Sequence, residues 1–213
     1  MNKFNTYKVC FVCTGNACRS PFAECVTKAL LDKEGMKEIE TFSLGTLDWG
    51  KNPRDTVMVE MARRMGYSLL GTTTHMTHES LMDADCIIVF EGHHRNAITK
   101  ELDYNHWDRV GLFNKMAFNI DEPVEDPHWQ SADVYERVAH HIEEGCKRLV
   151  EQWKRTLVRD SLSVKRLTGQ QRLSSIPSTS IDTYSNELRG FLFSVSDRWR
   201  LLSTLLIHRN TKV

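Results

Sequence analysis

The spacing of apolar and polar positions changes repeatedly along the chain, and each change predicts an element. Residues 8–13 (KVCFVC) form a short apolar, β-branched run that breaks at the turn-like TGNA, and Ser20-Pro21 then opens a helical pattern through about Leu31. Runs of similar β character recur at 38–44, 86–90 and 109–113, while helical spacing fills 53–65, 94–102 and 131–153. Strands alternating with helices predict an α/β fold, an open four-stranded parallel sheet with helices on both faces and right-handed crossovers. In the last of these helices Val134, Val138, Ile142, Cys146, Leu149 and Trp153 recur at three- and four-residue spacing. That stripe faces the sheet and closes a domain of residues 1–154. A C-terminal extension follows, in which 155–186 are rich in Ser, Thr, Arg and Gln and read as a linker. In 187–213, Leu192, Val195, Trp199, Leu202 and Leu206 keep helical spacing beside Arg189, Arg198 and Arg200, which predicts an amphipathic basic helical tail.

Composition narrows the class. With 213 residues, 40% hydrophobic and 26% charged, the chain is neither disordered throughout nor collagen-like. Its net charge of zero hides a split: residues 1–154 carry 18 basic and 24 acidic side chains, and residues 155–213 carry 10 and 4. A basic tail beside an acidic body suggests intramolecular docking, with a protein partner or an anionic membrane surface as alternatives. No stretch resembles a signal peptide, and none approaches the ~18 apolar residues of a membrane span, so a cytoplasmic location is expected. The six cysteines are accordingly read as reduced thiols.

Candidate chemistry gathers where the first strand ends. In an open α/β sheet, ligands bind outside the carboxyl ends of the strands, and here that address is Cys13-Thr14-Gly15-Asn16-Ala17-Cys18-Arg19-Ser20-Pro21. A tight loop entering a helix N-terminus points backbone N–H groups and the positive end of the helix dipole at one spot. Such a cup holds a dianion. The same field and Arg19 favour the Cys13 thiolate, while a guanidinium grips two phosphate oxygens at once. Gly15 and Asn16 tolerate the strained backbone of such a loop, and Ser20 can donate its hydroxyl to the Cys13 sulfur. A nucleotide-binding P-loop is excluded because no GK[ST] follows Gly15. Cys10 and Cys13 lie along a strand, unlike a thioredoxin-type pair, and the His pairs lack the further ligands of a metal site. No metal, cofactor or nucleic acid is expected.

The motif FVCTGNACRSPFAE near the N-terminus resembles the low-molecular-weight protein tyrosine phosphatases, and the similarity continues through FSLGTLDWG (42–50), the helix after Pro53, CIIVFEGHHRNAI (86–98) and VEDPHW (124–129). The resemblance implies a flavodoxin-like catalytic domain in which Cys13 is the nucleophile, Arg19 the phosphate clamp and Asp126 the general acid. It implies that Asn16, Ser20 and Ser43 hold the loop, and that a phosphorylated protein is the substrate. Thr14, Gly15, Ala17 and Cys18 would line the phosphate site, and Cys18 could form a reversible protective disulfide with Cys13 or simply fill space. Trp49 resembles one aromatic wall of the substrate cleft, with the His128-Trp129 segment opposite, where tyrosine-directed members usually carry Tyr or Phe. Thr14, apolar in many tyrosine-specific relatives, resembles the branch acting on phosphoarginine. Phosphotyrosine is the expected substrate and phosphoarginine the alternative. Arsenate reduction is disfavoured, since only Cys86 lies near the segment where that branch carries a further cysteine pair.

Overall fold

Side-chain alternation along the strands sorts the core into two layers. The computed structural model describes residues 6–171, with 158–171 described by backbone alone. In β1 (Tyr7–Cys13), Val9, Phe11 and Cys13 face one layer and Cys10 and Val12 the other. β3 (Cys86–Val89) divides in the same way, Cys86 and Ile88 against Ile87 and Val89. With β2 (Ile39–Gly45) and β4 (Val110–Leu112) they form one parallel sheet in the order β2-β1-β3-β4, the architecture expected from the sequence. Val12 pairs with Leu44 on one side and Val89 on the other, so the carboxyl ends of three strands meet around Cys13. That is the point where the strand order reverses.

Helices seal both layers. α1 (Arg19–Glu34), α2 (Thr56–Arg64), α5 (Phe113–Phe118) and α6 (Ala132–Gln171) cover the first, contributing Phe22, Met58, Phe113, Ile142 and Leu149. α3 (His78–Met82) and α4 (Gly92–Glu101) cover the second with Leu81 and Ile98. Local chemistry sets the ends: Gly35 closes α1 at φ 68°, and the Asp55 side chain accepts the Met58 N–H to start α2.

Three elements differ from the expectation. α3 is too short to show a period, and its start is set by a capping box in which Thr77 and Ser80 bond reciprocally. Phe113, read from the sequence as a strand end, begins α5 instead, because its ring is buried against Phe90 at 5.2 Å. α6 does not stop at Trp153; it runs to Gln171, so the linker expected from residue 155 begins as helix. The physical reason is that 155–171 contains no proline, and a formed helix extends at the cost of fixing one residue per added bond. The rest of the expected linker and the basic tail helix lie outside the described residues. Among the described residues, no helix is long and apolar enough to cross a membrane.

The stripe of α6 makes a direct prediction. Leu149 is fully buried in the first layer, so Leu149→Ala should lower unfolding free energy by about 2–5 kcal/mol in a denaturant titration. A loss near zero would show that α6 does not seal the sheet.

Candidate active site

The segment between β1 and α1 is a cup because its carbonyls are turned outward. Cys13 O accepts from Thr46 N at 3.0 Å, Thr14 O from Leu47 N at 2.8 Å and Ala17 O from Asp55 N at 3.2 Å, while Asn16 O accepts from Arg54. In a trans peptide the C=O and the next N–H point in opposite directions, so the N–H groups of Thr14, Gly15, Ala17 and Cys18 turn inward. The end of β2 lies close beneath, and only glycine fits there. A Cβ on Gly45 would stand 2.9 Å from Thr14 O and 3.0 Å from Asn16 N, both backbone atoms with no freedom to yield.

Asn16 is the hub of this turn. It sits at φ 53°, in the left-handed region that asparagine tolerates, and is fully buried. Its amide donates to Ser20 Oγ at 3.0 Å and Ser43 Oγ at 2.8 Å, and its Oδ1 accepts from Thr74 N at 2.9 Å and Arg54 at 2.5 Å. All four hydrogen-bonding positions of the side chain are used. Ser43 passes its proton bond on to Glu24 at 2.6 Å, and Ser20 Oγ lies 3.0 Å from Cys13 Sγ and 3.2 Å from Leu44 O. The single Ser20 proton can serve either acceptor. It goes to the sulfur when the sulfur is a thiolate, the stronger acceptor.

Arg19 is 1% exposed, yet it carries a full charge. Its Nη1 donates to Glu91 Oε1 at 2.5 Å and to Val124 O at 3.0 Å, and its Nη2 pairs with Asp126 Oδ2 at 2.6 Å. The buried Nε–H has no acceptor among the described residues. Beside it, His94 is held neutral, its pKa lowered to about 3 by burial, with His93 and Arg19 adding repulsion. Its Nδ1 accepts from Glu91 N at 3.1 Å, so Nε2 carries the hydrogen and donates to Thr14 Oγ1 at 2.9 Å. The Thr14 hydroxyl proton is left to serve another acceptor.

At the rim, Trp49 covers Gly15, where a Cβ would meet the indole at 2.7 Å. The Trp49 and His128 rings are 5.8 Å apart and tilted by 51°. A substrate ring stacked between two walls needs about 7 Å, twice a ~3.5 Å carbon contact, so the expected slot is closed at rest and opens only as the rings part. Trp129, at φ 66° and 89% exposed, projects into solvent next to His128.

The other thiols are inert by burial. It raises Cys10 and Cys18 far above the ordinary thiol range, with Asp55 adding repulsion at Cys18, and pushes Cys25, Cys86 and Cys146 up to about 12. All six cysteines are free thiols, Cys13 and Cys18 included. Among the described residues two groups have the spacing to hold a metal ion, Cys18 with Asp55 and His128, and Glu91 with His93 and His94. Hydrogen bonds account for both: Asp55 accepts from His128 and Tyr135, and both His94 ring nitrogens are in use. Sequence reasoning did not single out Arg54, Asp55, Glu91, His94 or Tyr135. Glu91 and His94 had one usable signal, their place just past the carboxyl end of β3.

Comparison with known proteins agrees with this geometry. A curated protein-arginine-phosphatase of Bacillus subtilis is 26% identical over 147 residues, 69% of this chain and 97% of that protein. A putative low molecular weight protein-tyrosine-phosphatase of Synechocystis is 30% identical over 156 residues, 71% and 99% of the two chains. Among solved structures, a low molecular weight phosphotyrosine phosphatase of Vibrio cholerae superimposes with a TM-score of 0.66 at 28% identity, covering 70% of this chain and 97% of that one. The profile of the low molecular weight phosphotyrosine protein phosphatases matches residues 8–159, and the chain belongs to that family.

Proposed function

We propose that the protein hydrolyses phosphotyrosine in protein substrates through a cysteinyl-phosphate intermediate. The observation that carries this reading is the loop of inward N–H groups that begins at Cys13 and ends at a buried guanidinium whose Nε–H lacks an acceptor among the described residues. An unmade buried bond costs about 1–3 kcal/mol, and a phosphate oxygen would satisfy it. Once the phosphate has displaced Asp126 from Arg19, the freed carboxylate takes a proton from water; Cys13 Sγ then attacks phosphorus, the phosphorus–oxygen bond to the phenol breaks, and Asp126 passes that proton to the departing oxygen. Water then attacks phosphorus, passes a proton to Asp126, and the sulfur–phosphorus bond breaks to release phosphate. Arg19 and the loop amides stabilise the equatorial charge in both steps. Ser20 donates to the sulfur each time it is a thiolate.

A second reading, a protein-arginine phosphatase, is favoured by the Thr14 hydroxyl beside the phosphate site and by the Bacillus subtilis relative of that name. Hydrolysis of phosphotyrosine, phosphoserine and phosphoarginine peptides side by side separates the two. For the basic tail, the charge split of the sequence supports docking on the protein's own acidic body.

Turnover of an aryl phosphate should be blocked by vanadate and unaffected by a chelator. Cys13→Ser should abolish it while the thermal midpoint stays near that of the unaltered protein; substantial residual turnover would mean that the nucleophile is another group. Asp126→Ala should slow turnover by about 10²–10⁴, and more for leaving groups of high pKa than for those of low pKa. An equal loss of kcat/KM, which reports the step that expels the leaving group, across an ester series would make Asp126 a structural residue. Removing residues 172–213 should lower the thermal midpoint if the tail docks on the body; an unchanged midpoint, with only the full chain sedimenting on anionic vesicles, would replace docking by membrane binding.

A further inference from the structure

We infer that His128 and Asp55 form a latch that keeps the proton donor Asp126 in position while Arg19 is engaged by the substrate phosphate. The inference rests on the phosphatase reading above. At rest the Asp126 carboxylate has two partners in the structure, the Arg19 guanidinium on Oδ2 at 2.6 Å and the His128 backbone N–H on Oδ1 at 3.2 Å. A dianion in the cup competes for the guanidinium, and Asp126 has to leave Arg19 to reach the departing oxygen. The His128 N–H is the contact that survives the exchange. The place of Asp126 then depends on how firmly residue 128 is held.

Residues 119–131 have no helix or strand; Val124 N bonds Phe90 O past the end of β3, and at residue 128 the holding falls to the side chain. The His128 ring bonds through Nδ1 to Asp55 Oδ2 at 3.3 Å, and it packs against Trp49, which itself lies on Gly15. Asp55 is immobile: its Oδ1 accepts from Met58 N at 2.9 Å, its Oδ2 from the Tyr135 hydroxyl at 3.0 Å, and its own N–H donates to Ala17 O at 3.2 Å. The latch therefore ties the acid-bearing segment to the cup, to the start of α2 and to the first turn of α6. Nδ1 donates to a carboxylate in the neutral ring as well as in the imidazolium, so the bond does not require a charged histidine. His128 acts through Asp126 and is a positioning residue. Displacement of a reacting group by about 1 Å can cost 10²-fold, which sets the scale of its effect.

The test uses the full chain and two esters, phenyl phosphate with a leaving group of high pKa and p-nitrophenyl phosphate with one of low pKa. His128→Ala should reduce kcat/KM on phenyl phosphate by about tenfold to a hundredfold, reduce it much less on p-nitrophenyl phosphate, and leave KM little changed. Asp55→Asn keeps the oxygen that caps α2 but replaces the accepting Oδ2 by an NH2 donor, which breaks the bond from His128 Nδ1–H, and it should show the same leaving-group pattern. Because the two residues act through one bond, combining Asp55→Asn with His128→Ala should cost no more than His128→Ala alone. His128→Asn retains a nitrogen donor on the branch that matches Nδ1 and should restore most of the loss, which also serves if the alanine variant fails to fold. Equal losses on both esters, a change confined to KM, or additive effects of the two substitutions would overturn the latch while leaving the phosphatase reading standing. No turnover of either ester by the unaltered protein would overturn both.

Discussion

A charged guanidinium with almost no access to water is the constraint around which this molecule is arranged. Removing such a group from water costs several kcal/mol unless anions and carbonyl oxygens surround it with good geometry. For Arg19 they come from distant parts of the chain: Glu91 past the end of β3, and Val124 O and Asp126 from the segment before α6. The neighbouring placement of β1 and β3 in the sheet is what brings Glu91 within reach. The resting site neutralises itself with the very carboxylate that the chemistry needs elsewhere, and an arriving phosphate takes over that role.

The two halves of the site are held in different ways. Around the cup, Asn16 has no hydrogen-bonding position to spare and the loop carbonyls are pinned from outside, so the inward N–H groups stand ready before a ligand arrives. Donors fixed in advance need no reorganisation when charge develops on the phosphate, which is the condition for strong electrostatic stabilisation. The segment carrying Asp126 has no helix or strand of its own and is held at separate points, by Val124 N on Phe90 O at 2.9 Å, Arg19 on Val124 O and Asp126, Asn114 on Glu122 O, Arg137 on Glu125 and Asp55 on the ring of His128. A fixed cup beside an acid on an irregular segment suits a reaction in which the phosphate stays in place while a proton is given and then taken back.

The rim illustrates how a surface pattern acquires meaning only in three dimensions. Trp49 and His128 were expected as walls of a cleft, and they are indeed neighbours, yet at 5.8 Å they fill the space between them. Trp129, next in sequence, turns outward because its backbone adopts a positive φ. The rim and the acid-bearing segment thus share one side chain, the His128 ring.

The sequence by itself determined the elements whose signal is local. Short apolar, β-branched runs marked the four strands, the three- and four-residue stripe marked α6, and the turn-like TGNA followed by Ser20-Pro21 marked the cup with Cys13 and Arg19 at its ends. These are legible because residue type, helical spacing and turn chemistry act over a few residues. Asn16, Ser20 and Ser43, carried over by resemblance, meet in one hydrogen-bonded group. Tertiary structure alone decided the partners that lie far along the chain: Arg54 on Asn16 across 38 residues, Glu91 on Arg19 across 72, and Asp55 on His128 across 73. It also decided that Phe113 starts a helix and that α6 passes Trp153. No local pattern encodes such pairings, since they exist only once the order β2-β1-β3-β4 gathers the strand ends on one side and burial makes each charge find its counterpart.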